Sequence, residues 1–124
     1  MKNRERYDLE VYKRDTWDGV QITMTRSSDN GQTYIPIDLN NTNILMQVKI
    51  NASDDTNVLE LSTSNNTITI VNASNGIFKI NPINIDLSAG MYYYDIQFTF
   101  TASEKVKTYI YGTFNVIQDV TQLS

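Results

Sequence analysis

The chain has 124 residues, of which 40% are hydrophobic and 19% charged, and its net charge is −4. This length and composition fit one globular domain and exclude an intrinsically disordered chain. The sequence contains neither cysteine nor histidine, which excludes disulfides, thiolate zinc sites and catalysis by a histidine base. The acidic balance argues against nucleic acid as a partner, because binding a phosphate backbone requires clustered Lys and Arg.

The N-terminal residues are polar, and neither a signal peptide nor an apolar run of the roughly 20 residues that cross a bilayer follows them. We therefore expect synthesis in a cytoplasm and no membrane partner. Basic and acidic side chains alternate near the N-terminus, which is typical of a solvated segment. The sequence predicts a flexible arm over residues 1–6, a single domain over residues 7–121 and a C-terminal tail over residues 122–124.

Short segments that alternate apolar and polar residues follow one another, with Gly, Asn, Asp, Ser and Pro between them. This pattern predicts an all-β, antiparallel, immunoglobulin-like β-sandwich of about seven to nine strands. Turns are expected over residues 27–32 and at Asn75-Gly76. The parity of the third strand places Ile44, Met46, Val48 and Ile50 inward. The predicted strands are residues 7–13, 20–26, 44–51, 58–62, 67–71, 77–80, 91–101 and 106–117.

The last two predicted strands form a hairpin, and the parity of their apolar residues restricts its register. The register that keeps both apolar sets on one face pairs Phe98 with Thr108, Ile96 with Ile110, and Tyr94 with Gly112. In this register Gly112 leaves room for the ring opposite it. The side chains predicted to point inward are Tyr92, Tyr94, Ile96, Phe98 and Phe100 on the first strand, and Val106, Ile110, Phe114 and Val116 on the second.

Two aromatic residues bear on the topology. Gly90-Met91-Tyr92 at the start of a late strand is typical of a tyrosine corner, with Tyr92 as the corner residue. The only tryptophan, Trp17, precedes the second predicted strand, whereas antibody domains carry theirs on a middle strand. A tryptophan between two strands either caps the core or serves as a binding hot spot, and the sequence leaves both roles open for Trp17.

The outward face of the terminal hairpin is the candidate partner-binding surface. It carries Met91, Tyr93, Tyr109 and Tyr111, with Trp17 as a further candidate outside the hairpin. Tyrosine is enriched at protein interfaces because it offers a large contact area at a low entropic cost. The alternative interpretation is ordinary cross-strand packing of tyrosines on an exposed sheet.

Paired carboxylates are the main catalytic type that remains to be considered. Asp15 and Asp18 flank Trp17, and Asp54 and Asp55 lie in a polar segment, but all four fit ordinary turns and solvated loops. Calcium ligands are not indicated, because these acids lack the regular spacing of a ligand loop. We predict no catalytic residue, no cofactor and no metal site.

A set of short motifs occurs along the chain in a fixed order. The motifs are Asp15-Thr-Trp-Asp-Gly19, Pro36-Ile-Asp-Leu39, Ile44-Leu-Met-Gln-Val-Lys49, Leu59-Glu-Leu-Ser-Thr63, Leu87-Ser-Ala-Gly-Met-Tyr-Tyr-Tyr-Asp-Ile-Gln97, Gly112-Thr-Phe-Asn-Val116 and Asp119-Val-Thr121. This ordered set resembles a widespread group of small tailed-phage and prophage proteins, and also the immunoglobulin-like N-terminal domain of phage baseplate upper proteins. The resemblance runs from about Tyr12 to Thr121 and does not extend to the stalk and receptor-binding regions of baseplate upper proteins, so a host-binding role does not carry over.

This resemblance implies a non-enzymatic structural protein of the virion, from the tail, baseplate, head–tail connector or fibre attachment. Such a protein would act by docking onto other virion proteins and onto copies of itself. The alternative function is a carbohydrate-binding β-sandwich module, which also uses aromatic side chains.

Overall fold

The computed structural model describes residues 5–13, 15–27, 31–51 and 53–118. Within these ranges it contains thirteen strands and no helix, which confirms the predicted all-β class. The strands are β1 (Glu5–Arg6), β2 (Leu9–Tyr12), β3 (Thr16–Trp17), β4 (Val20–Thr23), β5 (Thr25–Arg26), β6 (Ile35–Pro36), β7 (Thr42–Lys49), β8 (Leu59–Ser62), β9 (Ile68–Asn72), β10 (Ile77–Ile80), β11 (Ile83–Asn84), β12 (Gly90–Phe100) and β13 (Lys105–Ile117).

The larger sheet has the strand order β1-β13-β12-β7-β8, and β2 also pairs with β13. Strands β12, β7 and β8 pair antiparallel, as does β12 with β13, whereas β1 and β2 run parallel to β13. The sequence did not predict this parallel pairing. Two residues of the predicted N-terminal arm, Glu5 and Arg6, form β1, while residues 1–4 and the predicted tail at 122–124 lie outside the described residues.

The smaller sheet consists of β4, β10 and β9 in that order, all antiparallel. Two further pairs, β3 with β11 and β5 with β6, are only two residues long. The inner faces of the larger and smaller sheets meet where Phe78 of β10 packs edge-on against Phe98 of β12, with ring centroids 5.5 Å apart. Because both rings are fully buried, this contact lies at the centre of the sandwich core.

Strand parity accounts for most of the core. On β7, Ile44, Met46 and Val48 are each at most 1% exposed, as predicted. Ile50 was predicted to lie inward and is 55% exposed. The reason is that β7 ends at Lys49 and Ile50 lies in a bend, so the alternation of the strand no longer applies to it.

The register of the β12–β13 hairpin contains a bulge that the sequence did not predict. Tyr94 pairs with Gly112 and Ile96 with Ile110, as expected, but the register then shifts by one residue. Phe98 therefore pairs with Lys107 and not with Thr108. An extra residue in one strand reverses the parity of everything beyond it. Val106, predicted to lie inward, is 53% exposed for this reason.

Local geometry confirms two predicted features. The hydroxyl of Tyr92 donates a hydrogen bond to the Ser88 carbonyl at 2.6 Å, which is the backward bond of a tyrosine corner. Gly76 has φ of +70° in the turn before β10, a conformation that L side chains rarely adopt. Of the turn predicted at residues 27–32, residues 28–30 lie outside the described part of the chain.

Candidate docking face

Three of the predicted surface residues lie together on the outer face of the larger sheet. Met91, Tyr93 and Tyr111 are 58%, 41% and 36% exposed, so their predicted outward position is confirmed. We call these three residues the docking face. Their exposure follows from parity, because on β12 the neighbours Tyr92 and Tyr94 fill the core side of the same strand.

The two tyrosines of the docking face are diagonal neighbours. Tyr93 lies opposite Thr113, and Tyr111 lies opposite Asp95, one step further along the same pair of strands. Diagonal side chains of this kind are about 7–8 Å apart, within reach of aromatic rings. Together they line a shallow depression of about 190 Å³ that Gln47 and Lys49 of β7 also border. Pockets for small ligands usually hold about 300–1,000 Å³, so this depression is smaller than a typical small-ligand pocket.

Tyr109 does not belong to the docking face. The bulge gives β13 one extra residue at this point, which turns the Tyr109 ring toward the core. There its centroid lies 5.4 Å from that of Phe98 and 6.3 Å from that of Phe100. The predicted outward position of Tyr109 is therefore wrong, and the physical reason is the same reversal of parity that exposes Val106.

Trp17 is likewise not brought together with the tyrosines. It is half-buried and packs against the core, with its ring edge-on to Phe114 at a centroid distance of 5.6 Å. Phe114 points inward from β13 and is fully buried, whereas Tyr111 points outward from the same strand. Of the two roles that the sequence left open, the position of Trp17 fits the core role.

Other strands flank most of the terminal hairpin on both sides. Strand β7 pairs along β12, and β1 and β2 pair along β13. In the described part of the chain, residues 105–109 of β13 have no strand on the side away from β12, so most of this hairpin, but not all of it, is closed to pairing with another chain. The outer face of the hairpin is accessible, and the strands that pair with it on both sides support the position of Met91, Tyr93 and Tyr111.

The N-terminal segment is fastened to this hairpin by side chains that the sequence did not reveal. The Tyr94 hydroxyl donates a hydrogen bond to the Tyr7 carbonyl, and the Tyr7 amide donates to the Tyr111 carbonyl at 2.8 Å. A Cβ atom at Gly112 would collide with the Tyr7 carbonyl. The missing side chain of Gly112 therefore leaves space for the backbone of Tyr7. The sequence suggested instead that this space serves the ring of Tyr94.

Asp8 makes a second polar contact between the N-terminal segment and the hairpin. Its Oδ1 accepts hydrogen bonds from the Thr113 amide at 2.9 Å and from Arg6 Nε at 3.2 Å. These donors favour the carboxylate, so the Thr113 amide and then Arg6 lower the pKa of Asp8 below its usual 3.8. Burial raises the pKa of Tyr94, since a buried phenolate loses its hydration. A tyrosine phenol is already protonated at neutral pH, and the raised pKa of Tyr94 lets its hydroxyl keep donating to Tyr7 at more alkaline pH.

The carboxylates considered for catalysis do not assemble into a site. Asp54 accepts a hydrogen bond from the Asn51 amide at 3.1 Å, which is a turn contact. Asp15 and Asp18 are exposed next to Trp17. Among the described residues no three acidic side chains come close enough to hold a metal ion.

Sequence reasoning missed the polar partners of this region, namely Tyr7, Asp8, Gln47, Lys49 and Thr113. Gln47 and Lys49 become neighbours of the docking face through the pairing of β7 with β12. Parity alone gives their outward direction, but it does not give the order of the strands. No local signal joins Asp8 to Thr113, because that contact spans almost the whole chain.

Comparison of the sequence with models of protein families and with curated proteins finds no match to either. In the described part of the chain, no helix is long and apolar enough to cross a membrane.

Proposed function

We propose that this chain is a non-enzymatic structural domain of a tailed-phage virion that docks onto other virion proteins and onto copies of itself. The observation that carries the docking role is the docking face itself. Met91, Tyr93 and Tyr111 expose large side chains on the outer face of the terminal hairpin, β12–β13. Rigid tyrosines on a preorganised surface favour binding because little side-chain entropy is lost.

The finer fold that we propose is immunoglobulin-like. The larger sheet, the smaller sheet and the Tyr92 corner support it. Immunoglobulin-type sandwiches place their last two strands beside a middle strand in one sheet and three or four earlier strands in the other. Here β13, β12 and β7 are neighbours in one sheet, and β4, β10 and β9 form the other. The virion assignment rests on the ordered motifs that resemble phage proteins.

A carbohydrate-binding module is the second candidate, and the depression between Tyr93 and Tyr111 favours it. Two tyrosine rings offer stacking surfaces, and Gln47, Lys49 and Asp95 border them with polar groups. The docking proposal is preferred because the depression is small and shallow.

The test is assembly of the double variant Tyr93→Ser/Tyr111→Ser. We expect at least about a tenfold loss of incorporation into particles or of binding to a partner, because exposed tyrosines at interfaces often act as hot spots. The melting temperature should stay nearly unchanged, since the inward side chains remain. Val71→Ser is the control, because Val71 is 49% exposed on β9 of the smaller sheet, away from the docking face.

Two outcomes contradict the proposal. Normal assembly of the double variant places the contact surface elsewhere. Binding of the wild-type protein to a purified glycan, measured by calorimetry and lost in the double variant while assembly is unaffected, favours the carbohydrate-binding alternative.

A further inference from the structure

We propose that strand β4 is a self-association edge, at which two copies of this chain join their smaller sheets by antiparallel pairing of β4 with the β4 of the second copy. This surface is separate from the docking face, so the inference goes beyond the proposed function. It rests on the backbone of β4, on the cleft beside it, on the absence of features that block pairing and on the register that the sequence of β4 allows.

One side of β4 has no strand beside it among the described residues, because β4 ends its sheet. On the opposite side, the Met24 amide donates to the Gly76 carbonyl at 2.7 Å, and the Met24 carbonyl accepts from the Ile37 amide at 2.9 Å. Backbone groups alternate in direction along an antiparallel strand. The N–H and C=O groups of Gln21, Thr23 and Thr25 therefore point toward the open side.

A cleft of about 490 Å³ runs along this open side, between β4 and β1. Val20 and Ile22 face the core but are only half-buried, whereas Phe78 and Ile80 of the neighbouring β10 are at most 1% exposed. The inner face of β4 is thus incompletely covered where the cleft begins. Apolar side chains that line the cleft are Tyr7, Val20, Ile22, Met24, Tyr34 and Ile110.

Three other edge strands, β1, β8 and β9, carry features that discourage pairing with a second chain. Charged side chains and bulges are the usual protections. Strand β1 consists of Glu5 and Arg6, and β8 carries Glu60. Strand β9 has a register shift that leaves Val71 unpaired against β10. Strand β4, with the sequence Val-Gln-Ile-Thr, has neither a charge nor a bulge, and the first charge beyond it is Arg26 of β5, at the end of the segment that would pair.

The sequence of this edge is complementary to itself. A two-fold axis through Thr23 places Gln21 opposite the partner's Thr25, and Ile22 opposite the partner's Met24. In this register apolar side chains meet on the inner face, uncharged polar ones meet on the outer face, and the two Thr23 side chains form a favourable Thr–Thr pair. About six backbone hydrogen bonds would join the copies. A two-fold dimer is the commonest symmetric assembly, so the second copy is the occupant that this edge fits.

The test uses charge at the symmetry axis. Thr23 is exposed, so Thr23→Lys and Thr23→Glu leave the fold intact but place like charges face to face in the dimer. We expect the wild type and the isosteric control Thr23→Val to dimerise with rising concentration in sedimentation velocity experiments. Each charged variant should dimerise at least tenfold more weakly, and an equal mixture of the two should recover dimers. A wild type that stays monomeric at its highest soluble concentration, or a Thr23→Lys variant that dimerises normally, overturns the inference.

Amide hydrogen exchange of the wild type provides a second measurement that needs no variant. The amides of Gln21, Thr23 and Thr25 should exchange rapidly in dilute protein and become protected at high concentration, whereas the Met24 amide should be protected throughout. Exchange at the three amides that does not depend on concentration contradicts the inference. If Tyr93→Ser/Tyr111→Ser abolishes the dimer and Thr23→Lys does not, self-association belongs to the docking face. That outcome leaves the proposed function standing.

Discussion

The two sheets of the sandwich differ at one of their edges, which is held by side-chain contacts in the larger sheet and is open in the smaller one. On the N-terminal side of the larger sheet, β1 is fastened by Tyr94, Asp8 and the bare backbone of Gly112. On the corresponding side of the smaller sheet, the unpaired side of β4 borders an open cleft. Polar contacts that involve side chains from distant parts of the chain can thus close an edge, and an edge without them remains available to a second chain.

The largest effect is expected where the two sheets meet. Replacing Phe78 with Ala removes a fully buried ring that packs on Phe98. Such a cavity costs about 3–5 kcal/mol of the free energy of unfolding. Urea denaturation followed by tryptophan fluorescence measures this loss. Val71→Ala is the control, because Val71 is 49% exposed in the same sheet and should change stability by less than about 0.5 kcal/mol.

A smaller loss of stability is expected when the N-terminal segment is pushed away from β13. In Gly112→Ala, the new Cβ meets the backbone carbonyl of Tyr7 and also Asp8 Oδ1. The Tyr7 backbone cannot yield as a flexible side chain can, so the N-terminal segment must move away from β13. We expect a destabilisation of about 1–3 kcal/mol, as for other overpacked sites. The Tyr7 amide, which donates to the Tyr111 carbonyl, should lose its protection against hydrogen exchange. Unchanged protection of Tyr7 would show that the segment tolerates the methyl group.

Strand alternation makes much of this fold predictable from sequence. The inward residues of β7, the corner at Tyr92 and the pairing of Tyr94 with Gly112 all follow from local patterns. The bulge that relocates Tyr109 was not predictable, because a single inserted residue leaves no local mark and yet reverses the parity beyond it.

The candidate site was predictable only in part for a related reason. The outward direction of Met91, Tyr93 and Tyr111 is a property of two adjacent strands joined by a short turn. The contacts of Asp8 with Thr113 and of Tyr94 with Tyr7 depend on the parallel return of the first strands to the last one. Pairing between the two ends of a chain is decided by the whole topology, and a single sequence does not specify it.

Removing one phenolic hydroxyl at a time should distinguish the contact that holds the N-terminal segment on the hairpin from a contact elsewhere in the same sheet. Tyr94→Phe loses the hydrogen bond to the Tyr7 carbonyl, and Tyr92→Phe loses the one to the Ser88 carbonyl. Each should cost about 1 kcal/mol. The distinction lies in where protection against hydrogen exchange is lost. Tyr94→Phe should raise the exchange rate of the Tyr7 amide, and Tyr92→Phe should not. Equal effects of both variants at Tyr7 would show that the Tyr94 hydroxyl does not specifically hold β1.

The smallest expected effect is the loss of stability in acid that results from protonation of Asp8. Asp8 has a lower pKa in the folded protein than its usual 3.8, because the Thr113 amide and Arg6 favour its carboxylate. A group whose pKa is depressed by folding contributes stability above its unfolded pKa, and loses this contribution as the pH falls through its folded pKa. The contribution of Asp8 is therefore present at neutral pH, begins to decline at about pH 4 and is lost as the pH falls through the lower pKa of the folded protein. Because this carboxylate is exposed, solvent screens the effect, and the loss should be small.

Melting temperatures of the wild type and of Asp8→Asn, measured between neutral pH and about pH 2, test this coupling. The two proteins should differ at neutral pH and converge in acid, because the wild-type carboxyl is protonated there and also loses its charge. Asp38→Asn is a poor control, since Asp38 caps its own turn through the Asn40 amide. Asp95→Asn is better, because Asp95 is exposed on the same sheet. A constant difference between wild type and Asp8→Asn across the whole range would show that the amide disturbs packing and that the charge of Asp8 does not fasten β1 to the hairpin.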